Sequence, residues 1–496
     1  MGFPHWNFLK TSYISNTFMN PTNFQLLSII TFFAYAAGFL STYHVIMSRR
    51  SSQAVIAWAI SLCTFPFVSL PIYWLFGRTR FHGYVNALRN QDTGVSDQIR
   101  ETLSTLPDTV PDREEIDPDQ HAMERLAALP YTDLNQVDLL INGEETFEAI
   151  FTTMREAETY LLIQFYIFHD DGLGRALLHE VASARSRGVE VYLLYDEIGS
   201  TGLGKAWLED LKATGAQVSG FRTTSGAKNR FQLNFRNHRK IVVADGKVAF
   251  VGGHNVGDEY LGKSKEFGDW RDTHCRIQGP AVLAVQLSFV TDWNWAQKTI
   301  PEHLHWIPEA AADRNERVLV ISSGPADRTQ TWKMVLLQCI RQADDRLWLV
   351  SPYFVPDQDI LSALELAVLR GVDVRILLPN HADHFMVWMA SFAYVEALKE
   401  TNIHFYRYQP GFLHQKVVLV DNELAIVGTA NADCRSFSLN FEISITGISP
   451  DFIQRVSDML KNDFRQSRQV GAEEYDAKPI YFRFCAKACR LMAPIL

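Results

Sequence analysis

The sequence predicts an α/β protein built from two pseudo-symmetric α/β sandwich halves with mixed sheets, preceded by a two-helix membrane hairpin. Three observations carry this. A motif H-x-K-x4-D-x6-G-x-x-N occurs twice, at Asn237–Asn255 and Leu413–Asn431, with every matched position 176 residues apart. Strand-like and helix-like stretches alternate in the same order around both copies. Near the N-terminus, Phe24–Met47 and Ala54–Phe76 run without a formal charge for 24 and 23 residues.

Each uncharged segment exceeds the roughly 20 residues a helix needs to cross the hydrocarbon core. Only Ser48–Gln53 separates them, with Arg49 and Arg50 in the turn. A signal peptide has a shorter apolar stretch and no second one behind it. Soluble core helices seldom lack charge on every face. Pro66 and Pro71 should kink the second helix, leaving its neighbour to cover the freed carbonyls. Lys10, Arg78, Arg80 and Arg89 on the open side outnumber the two turn arginines, which puts both ends and the following domain in the cytoplasm.

The reading in order is a membrane anchor over 1–80, an acidic linker over 81–134, half 1 over 135–310, half 2 over 311–475 and an amphipathic tail over 476–496. Asp108, Asp112, Glu114, Glu115, Asp117 and Asp119 with Pro107, Pro111 and Pro118 mark the linker. Within the halves, VDLLINGEE matches VLVISSGPA, YLLIQFYIF matches LWLVSPYFV, and VEVYLLY matches VDVRILLP. These apolar runs suit strands buried on both faces. Between them, helices ending in Arg-Gly put Leu177 and Val181, or Leu361 and Leu364, on an apolar side. In the tail, Arg483, Lys487 and Arg490 fall at helical spacing among apolar residues, as in a membrane-surface helix or a terminal helix packed on the domain.

Composition narrows the class. A net charge of −9 argues against a chain that coats nucleic acid. The six cysteines form no C-x-x-C pair and no zinc-spaced group, so they read as isolated reduced thiols. No metal or other cofactor is expected: an ammonium beside each motif histidine repels a cation, and no carboxylate cluster accompanies it.

The duplicated motif points to phosphodiester chemistry. Alternate strand residues face one way, so His238 projects with Lys240 and His414 with Lys416. Two facing halves would gather two imidazoles and two ammonium groups. Lysines and the amides of Asn255 and Asn431 can hold the non-bridging oxygens, one histidine can attack phosphorus, and the other can shuttle the proton. Asp245 and Asp421 precede turns, where a carboxylate caps backbone amides. Better partners for the histidines lie downstream, at Asp272 in WRDTH and Glu442 in SLNFEIS. The candidate catalytic set is thus His238, Lys240, Asp245, His414, Lys416 and Asp421, supported by Asn255, Asn431, Asp272, Glu442 and Thr429. Phe235, Trp270, Phe412 and Phe441 lie near the motifs, as core packing or as a barrier to water.

The double motif resembles that of the phospholipase D superfamily, which implies two phospholipase D-like halves. NFRNHRKI, GGHN with DEY, FGDWRDTH, DWNWA, SPYFVPD, GFLHQK and GTANADCRSFSLNFE narrow the resemblance to bacterial cardiolipin synthases of the membrane-anchored type. The N-terminal pair and the APIL ending are similar too. That resemblance implies transfer between two phosphatidylglycerol molecules at the bacterial inner membrane, giving cardiolipin and glycerol, with no nucleic acid partner. It also implies a mainly structural motif aspartate, downstream acids that fix the histidine tautomers, His238 as nucleophile and His414 as acid/base. Gly253 departs from the pattern where the superfamily usually has a hydroxyl (Thr429 in the second copy), and His254 replaces an apolar residue. A hydrolase would use the same residues with water as acceptor, a nuclease is disfavoured by the charge and the hairpin, and a non-catalytic scaffold by the intact motifs.

Overall fold

A computed structural model describes residues 21–48, 52–77, 84, 110–111, 116–222, 234–311 and 313–493. The chain forms two compact units, Met1–Arg78 and Thr79–Leu496.

In the first unit, Pro21–Ile46 is one helix, and its stretch Gln25–Ile46 is long and apolar enough to cross a membrane. The second segment differs from the single kinked helix expected. It is two helices, Ser52–Thr64 and Pro66–Phe76, separated at Phe65, whose φ of −129° and ψ of 57° are not helical. Pro66 causes the break: it has no N–H, its ring clashes with the carbonyl four residues back, and it drives the preceding residue out of the helical region. Pro71 lies inside the second piece. The first helix meets the freed Leu62 carbonyl at Gly38, where a Cβ would lie 2.4 Å from that oxygen. Ser69 Oγ donates to the Ser61 carbonyl at 2.9 Å. Phe32, Phe33, Phe39 and Leu40 stay exposed, as a lipid-facing surface requires. Arg49 and Arg50 lie outside the described residues.

Among the described residues the second unit is organised on one 16-stranded mixed sheet, in which Arg236–Asn237 branches off the main path to pair with Asn440–Gly447. From one edge it runs Gln217–Phe221, Glu190–Asp196, Tyr160–Phe165, Ile241–Ala244, Val248–Gly252, Thr273–Gln278 and Thr132–Ile141. From the other it runs Ser467–Val470, His404–Tyr408, Asp373–Pro379, Arg346–Val350, Val417–Val420, Leu424–Gly428, Asn440–Gly447 and Glu316–Ser323. The inner order is the same in both halves: parallel neighbours outside, then antiparallel hairpins carrying the repeated motif. The halves join through Thr132–Ile141, whose start pairs with Glu316–Ser323 and whose remainder pairs with Thr273–Gln278. Tyr160–Phe165 and Val417–Val420 are wholly buried, as strands covered by helices on both faces must be.

Local signals in the sequence explain the flanking helices. Asp171 caps Gly172–Ser186 by accepting from the Gly174 amide, and Asp357 caps Gln358–Leu369 through the Ile360 amide. Each ends in Arg-Gly, and Gly188 and Gly371 take φ of +90° and +95°, the left-handed stop that glycine adopts without steric cost. Of region 81–134, only Tyr84, 110–111 and 116 onward are described. There Pro118–Ala127 is a helix capped by Asp117, and it buries Met123 in the core of the second half. The tail forms a helix, Ile480–Leu491, which packs Ala486 against Met389 and Phe392 of helix Phe385–Ala397. Its other side leaves Ile480, Tyr481 and Phe484 exposed. All six cysteines are free.

Candidate active site

The H-x-K triplets are not inside strands, as the alternation predicted, but between them. His238–Lys240 links the short strand Arg236–Asn237 to Ile241–Ala244, and His414–Lys416 links Gly411–Leu413 to Val417–Val420. The reason is a change of partner. Before each triplet the chain pairs with the opposite half: Arg236–Asn237 lies parallel to Asn440–Phe441, and Gly411–Leu413 parallel to Asp269–Arg271. The crossing continues through the histidine amides, which donate to the Phe441 and Arg271 carbonyls at 2.9 and 2.8 Å. After the triplet the chain returns to its own half.

This crossing exchanges the acidic partners. His238 Nδ1 donates to Glu442 Oε2 at 2.9 Å, and His414 Nδ1 donates to Asp272 Oδ2 at 2.7 Å. Each imidazole is therefore oriented by the carboxylate of the other half, whereas reading along the chain pairs each motif with the acid that follows it. All four side chains are buried. With Nδ1 engaged, Nε2 is the ring atom left to react.

The two acids are held differently. Glu442 also accepts from Thr429 Oγ1 at 2.6 Å, Ser436 Oγ at 2.9 Å and Asn440 Nδ2 at 3.1 Å. Asp272 accepts from the Thr273 amide at 2.8 Å. Gly253 occupies the place of Thr429, and a Cβ there would fall 2.0 Å from Asp272 Oδ1. The shorter acid sits against the backbone, which explains the missing hydroxyl. The His254 ring lies against that of His274, their Nδ1 atoms 3.0 Å apart.

The lysines brace the backbone of their histidines. Lys240 Nζ donates to the His238 carbonyl at 2.6 Å, and Lys416 Nζ to the His414 carbonyl. The two histidines are close enough for the charge of His238 to bear on His414. Burial, opposed by Glu442 and reinforced by the lysines, lowers His238 to about 4. Burial and both lysines likewise hold His414 well below the usual histidine range. Lys416 is lowered to about 8 by burial, with Asp272 and Glu442 opposing. At neutral pH both imidazoles are thus neutral.

Asp245 and Asp421 do not reach the histidines. Asp245 accepts from the amides of Glu158, Thr159 and Tyr160, each at 2.8 Å, and Asp421 from those of Asp344, Asp345 and Arg346 at 2.6–2.9 Å. Both have left-handed backbone, φ 53° and 48°, which aspartate tolerates in a turn. They fix the starts of Tyr160–Phe165 and Arg346–Val350. Asn255 is engaged within the protein, accepting from the Ile167 amide at 3.2 Å and donating to Tyr260 Oη at 2.8 Å. Asn431 Oδ1 is buried with no partner among the described residues. Of the aromatic residues, Trp270 and Phe412 stand against the His414 ring at 5.2 and 6.0 Å, while Phe235 and Phe441 belong to the main core.

Two family models match the chain. One, described as "Cardiolipin synthase, PLD-like domain", covers residues 150–270 and 336–464. The other, "Phospholipase D-nuclease N-terminal", covers 36–78. Cardiolipin synthase A of Pseudomonas fluorescens is 43% identical over 92% of this chain and 96% of its own length. The chain belongs to the cardiolipin synthase family. The Pseudomonas syringae relative of the same name is 42% identical over 94% of this chain and 98% of its own. Among solved structures, a phosphatidylserine synthase from Haemophilus influenzae covers 77% of this chain with its whole length at a TM-score of 0.60 and 13% identity, a likeness of fold alone.

Behind the histidines of this cardiolipin synthase family member lie two buried ionic networks that sequence reasoning missed. Arg239 spans Asp292 at 2.8 Å and the Glu442 carbonyl at 3.1 Å, and Asp292 also accepts from Gln164, Asn237 and Tyr84. Behind His414, Arg271 of the first half makes a two-pronged pair with Asp463 of the second at 2.7–2.8 Å, and Gln415 joins it at 2.7 Å. Arg239 and Gln415 are the middle residues of the two H-x-K triplets. A charged or amide side chain between two buried motif residues was the available signal that a buried partner exists.

Proposed function

We propose that the chain joins two phosphatidylglycerol molecules into cardiolipin with release of glycerol, by way of a phosphohistidine. The observation that carries this is the pair of buried imidazoles, each fixed through Nδ1 by the carboxylate of the opposite half and flanked by two lysines. Membership of the cardiolipin synthase family makes the chain a phosphatidyltransferase acting on membrane phospholipids. In this reading Nε2 of His238 attacks the phosphorus of the first lipid. The P–N bond forms as the P–O bond to glycerol breaks, and His414 gives the departing oxygen its proton. His414 then takes a proton from a glycerol hydroxyl of the second lipid, whose oxygen displaces His238. Lys240, Lys416 and the Asn431 amide stabilise the charge on the non-bridging oxygens. The phosphodiester anion offsets the lysine charge, which lets His414 hold its proton in the complex. Chemistry of this kind uses neither metal nor cofactor, and the net charge of −9 disfavours a nucleic acid substrate.

The N-terminal helices are read as a two-pass anchor in the bacterial inner membrane with the second unit on the cytoplasmic side, supported by the arginine bias of the flanks. A C-terminal reporter active only on the far side would reverse that orientation.

Product analysis tests the reaction. Purified protein in phosphatidylglycerol membranes should yield cardiolipin and glycerol in equal amounts, with no label in the cardiolipin phosphates from oxygen-18 water. Dominant phosphatidic acid carrying the label would make the chain a hydrolase.

The pH profile follows from the site. His238 must be neutral to attack, so kcat/KM falls only as pH drops through about 4. In the complex, where the bound phosphodiester lets His414 hold its proton, Lys416 must still be charged, so kcat falls as pH rises through about 8. An acid limb centred near the ordinary histidine value of roughly 6.5 would contradict this account of the site.

A further inference from the structure

The C-terminal helix Ile480–Leu491 is built in three stripes. Phe482, Ala486 and Cys489, spaced i, i+4 and i+7, face the body of the second unit, where the Phe482 ring packs 5.2 Å from that of Phe392. Arg483, Lys487 and Arg490 repeat that spacing one residue further on. The third stripe, Ile480, Phe484 and Leu491 with Tyr481 beside it, is 71–82% exposed. A terminal helix that only packs on its domain needs one apolar stripe. This helix has a second, with the cations between the two on one flank.

The local charge runs against that of the whole chain. Residues 477–496 carry Lys478, Arg483, Lys487 and Arg490 and no acid, in a protein of net charge −9. Lys478 lies over the Phe482 ring at 5.3 Å and Arg490 over that of Tyr394 at 4.6 Å. Among the described residues only Lys487 of the four has an ion-pair partner, Glu396 at 3.6 Å.

The apolar surface continues towards the catalytic centre. Rings step from Phe482 to Trp388 at 6.2 Å and from Trp388 to Phe385 at 6.3 Å, and Phe385 and Met386 are exposed at the start of helix Phe385–Ala397. Immediately before them, Asp383 accepts from the Tyr353 hydroxyl and is close enough for its charge to bear on Lys416. His384 is close enough to bear on His414.

An apolar stripe bordered by cations suits the surface of an anionic bilayer, which offers hydrocarbon to the rings and lipid phosphates to the ammonium and guanidinium groups. A second copy of the chain suits it less, because a two-fold contact on this face sets like charges against each other. We propose that this face of the second unit docks on the anionic bilayer that holds the substrate, with Ile480, Tyr481, Phe484 and Leu491 at the headgroup boundary and Phe385 and Met386 at the mouth of the site beside His414. The docking itself requires only that the substrates be membrane phospholipids. Its benefit for the second lipid, whose hydroxyl gives its proton to His414, rests on the transferase reading above.

Full-length protein with a benzophenone side chain in place of Phe484 is reconstituted into phosphatidylglycerol–phosphatidylcholine vesicles and irradiated. Phosphatidylglycerol should be attached to the peptide containing position 484, with a yield about tenfold or more above that of the same probe at Glu209, exposed on helix Lys205–Ala213 of the first half. In a second arm, Ile480→Ser/Phe484→Ser should lower glycerol release from the vesicles about tenfold, while release from a short-chain phosphatidylglycerol below its micelle concentration changes less than about twofold. Absence of lipid at position 484, equal yields at both positions, or attachment to a second copy of the chain instead of lipid would each overturn the proposal. A parallel loss on both substrates would too, because the two residues would then be structural. Transferase and hydrolase alike release glycerol, and the lipid adduct needs no turnover. A wild type that releases no glycerol therefore defeats the reaction proposed above and leaves the adduct to decide the docking.

Discussion

Replacing His238 or His414 by alanine lowers kcat by about 10⁴-fold or more, the largest effect expected of any single change in this chain. His238 is read as the atom donor to phosphorus and His414 as the proton carrier. Removing either should cost nearly as much as removing both, because each is useless without the other. Acid-quenched wild type given labelled lipid should carry the phosphoryl group on the peptide containing His238. Label on the His414 peptide would exchange the two roles. A kcat within tenfold of wild type in either variant would remove that histidine from the mechanism. Both side chains are small and are held at Nδ1 by one carboxylate each, so the variants should remain folded, which the thermal transition checks.

Glu442→Gln and Asp272→Asn come next, with expected losses of about 10²–10⁴-fold in kcat. An amide can donate to Nδ1 and so favours the wrong tautomer, placing the ring proton on the nitrogen that must attack or accept. The crossed geometry adds a sharper expectation. In double-mutant cycles on stability, Glu442 should couple to His238 and Asp272 to His414, by about 0.5–3 kcal/mol. Glu442 with His414, and Asp272 with His238, should be additive within about 0.5 kcal/mol. The reverse pattern would mean that each half is self-contained.

How far the sequence reaches depends on the range of the interactions involved. Spacing and period are local. The double H-x-K, the matched strands, the Arg-Gly helix ends and the capping role of the motif aspartates could all be read directly, since each follows from neighbours along the chain. The uncharged N-terminal segments were equally plain, although Pro66 does more than kink: it divides the second into two helices, because the proline ring removes both an amide and room for the Leu62 carbonyl. Family membership followed from the same motifs, as the match over most of the chain bears out.

What tertiary structure decided is which groups meet. The sequence places an acid downstream of each motif, and nothing local says that Glu442 serves His238 while Asp272 serves His414. That exchange arises because the segment before each histidine leaves its own half and pairs with a strand of the other. The buried pairs Arg239–Asp292 and Arg271–Asp463 are likewise contacts across 53 and 192 positions. A charged residue in an apolar helix, such as Asp292, signals that a partner exists but not which one. Backbone pairing between distant strands makes that choice, because it fixes the facing of alternate side chains on two segments that the sequence keeps apart.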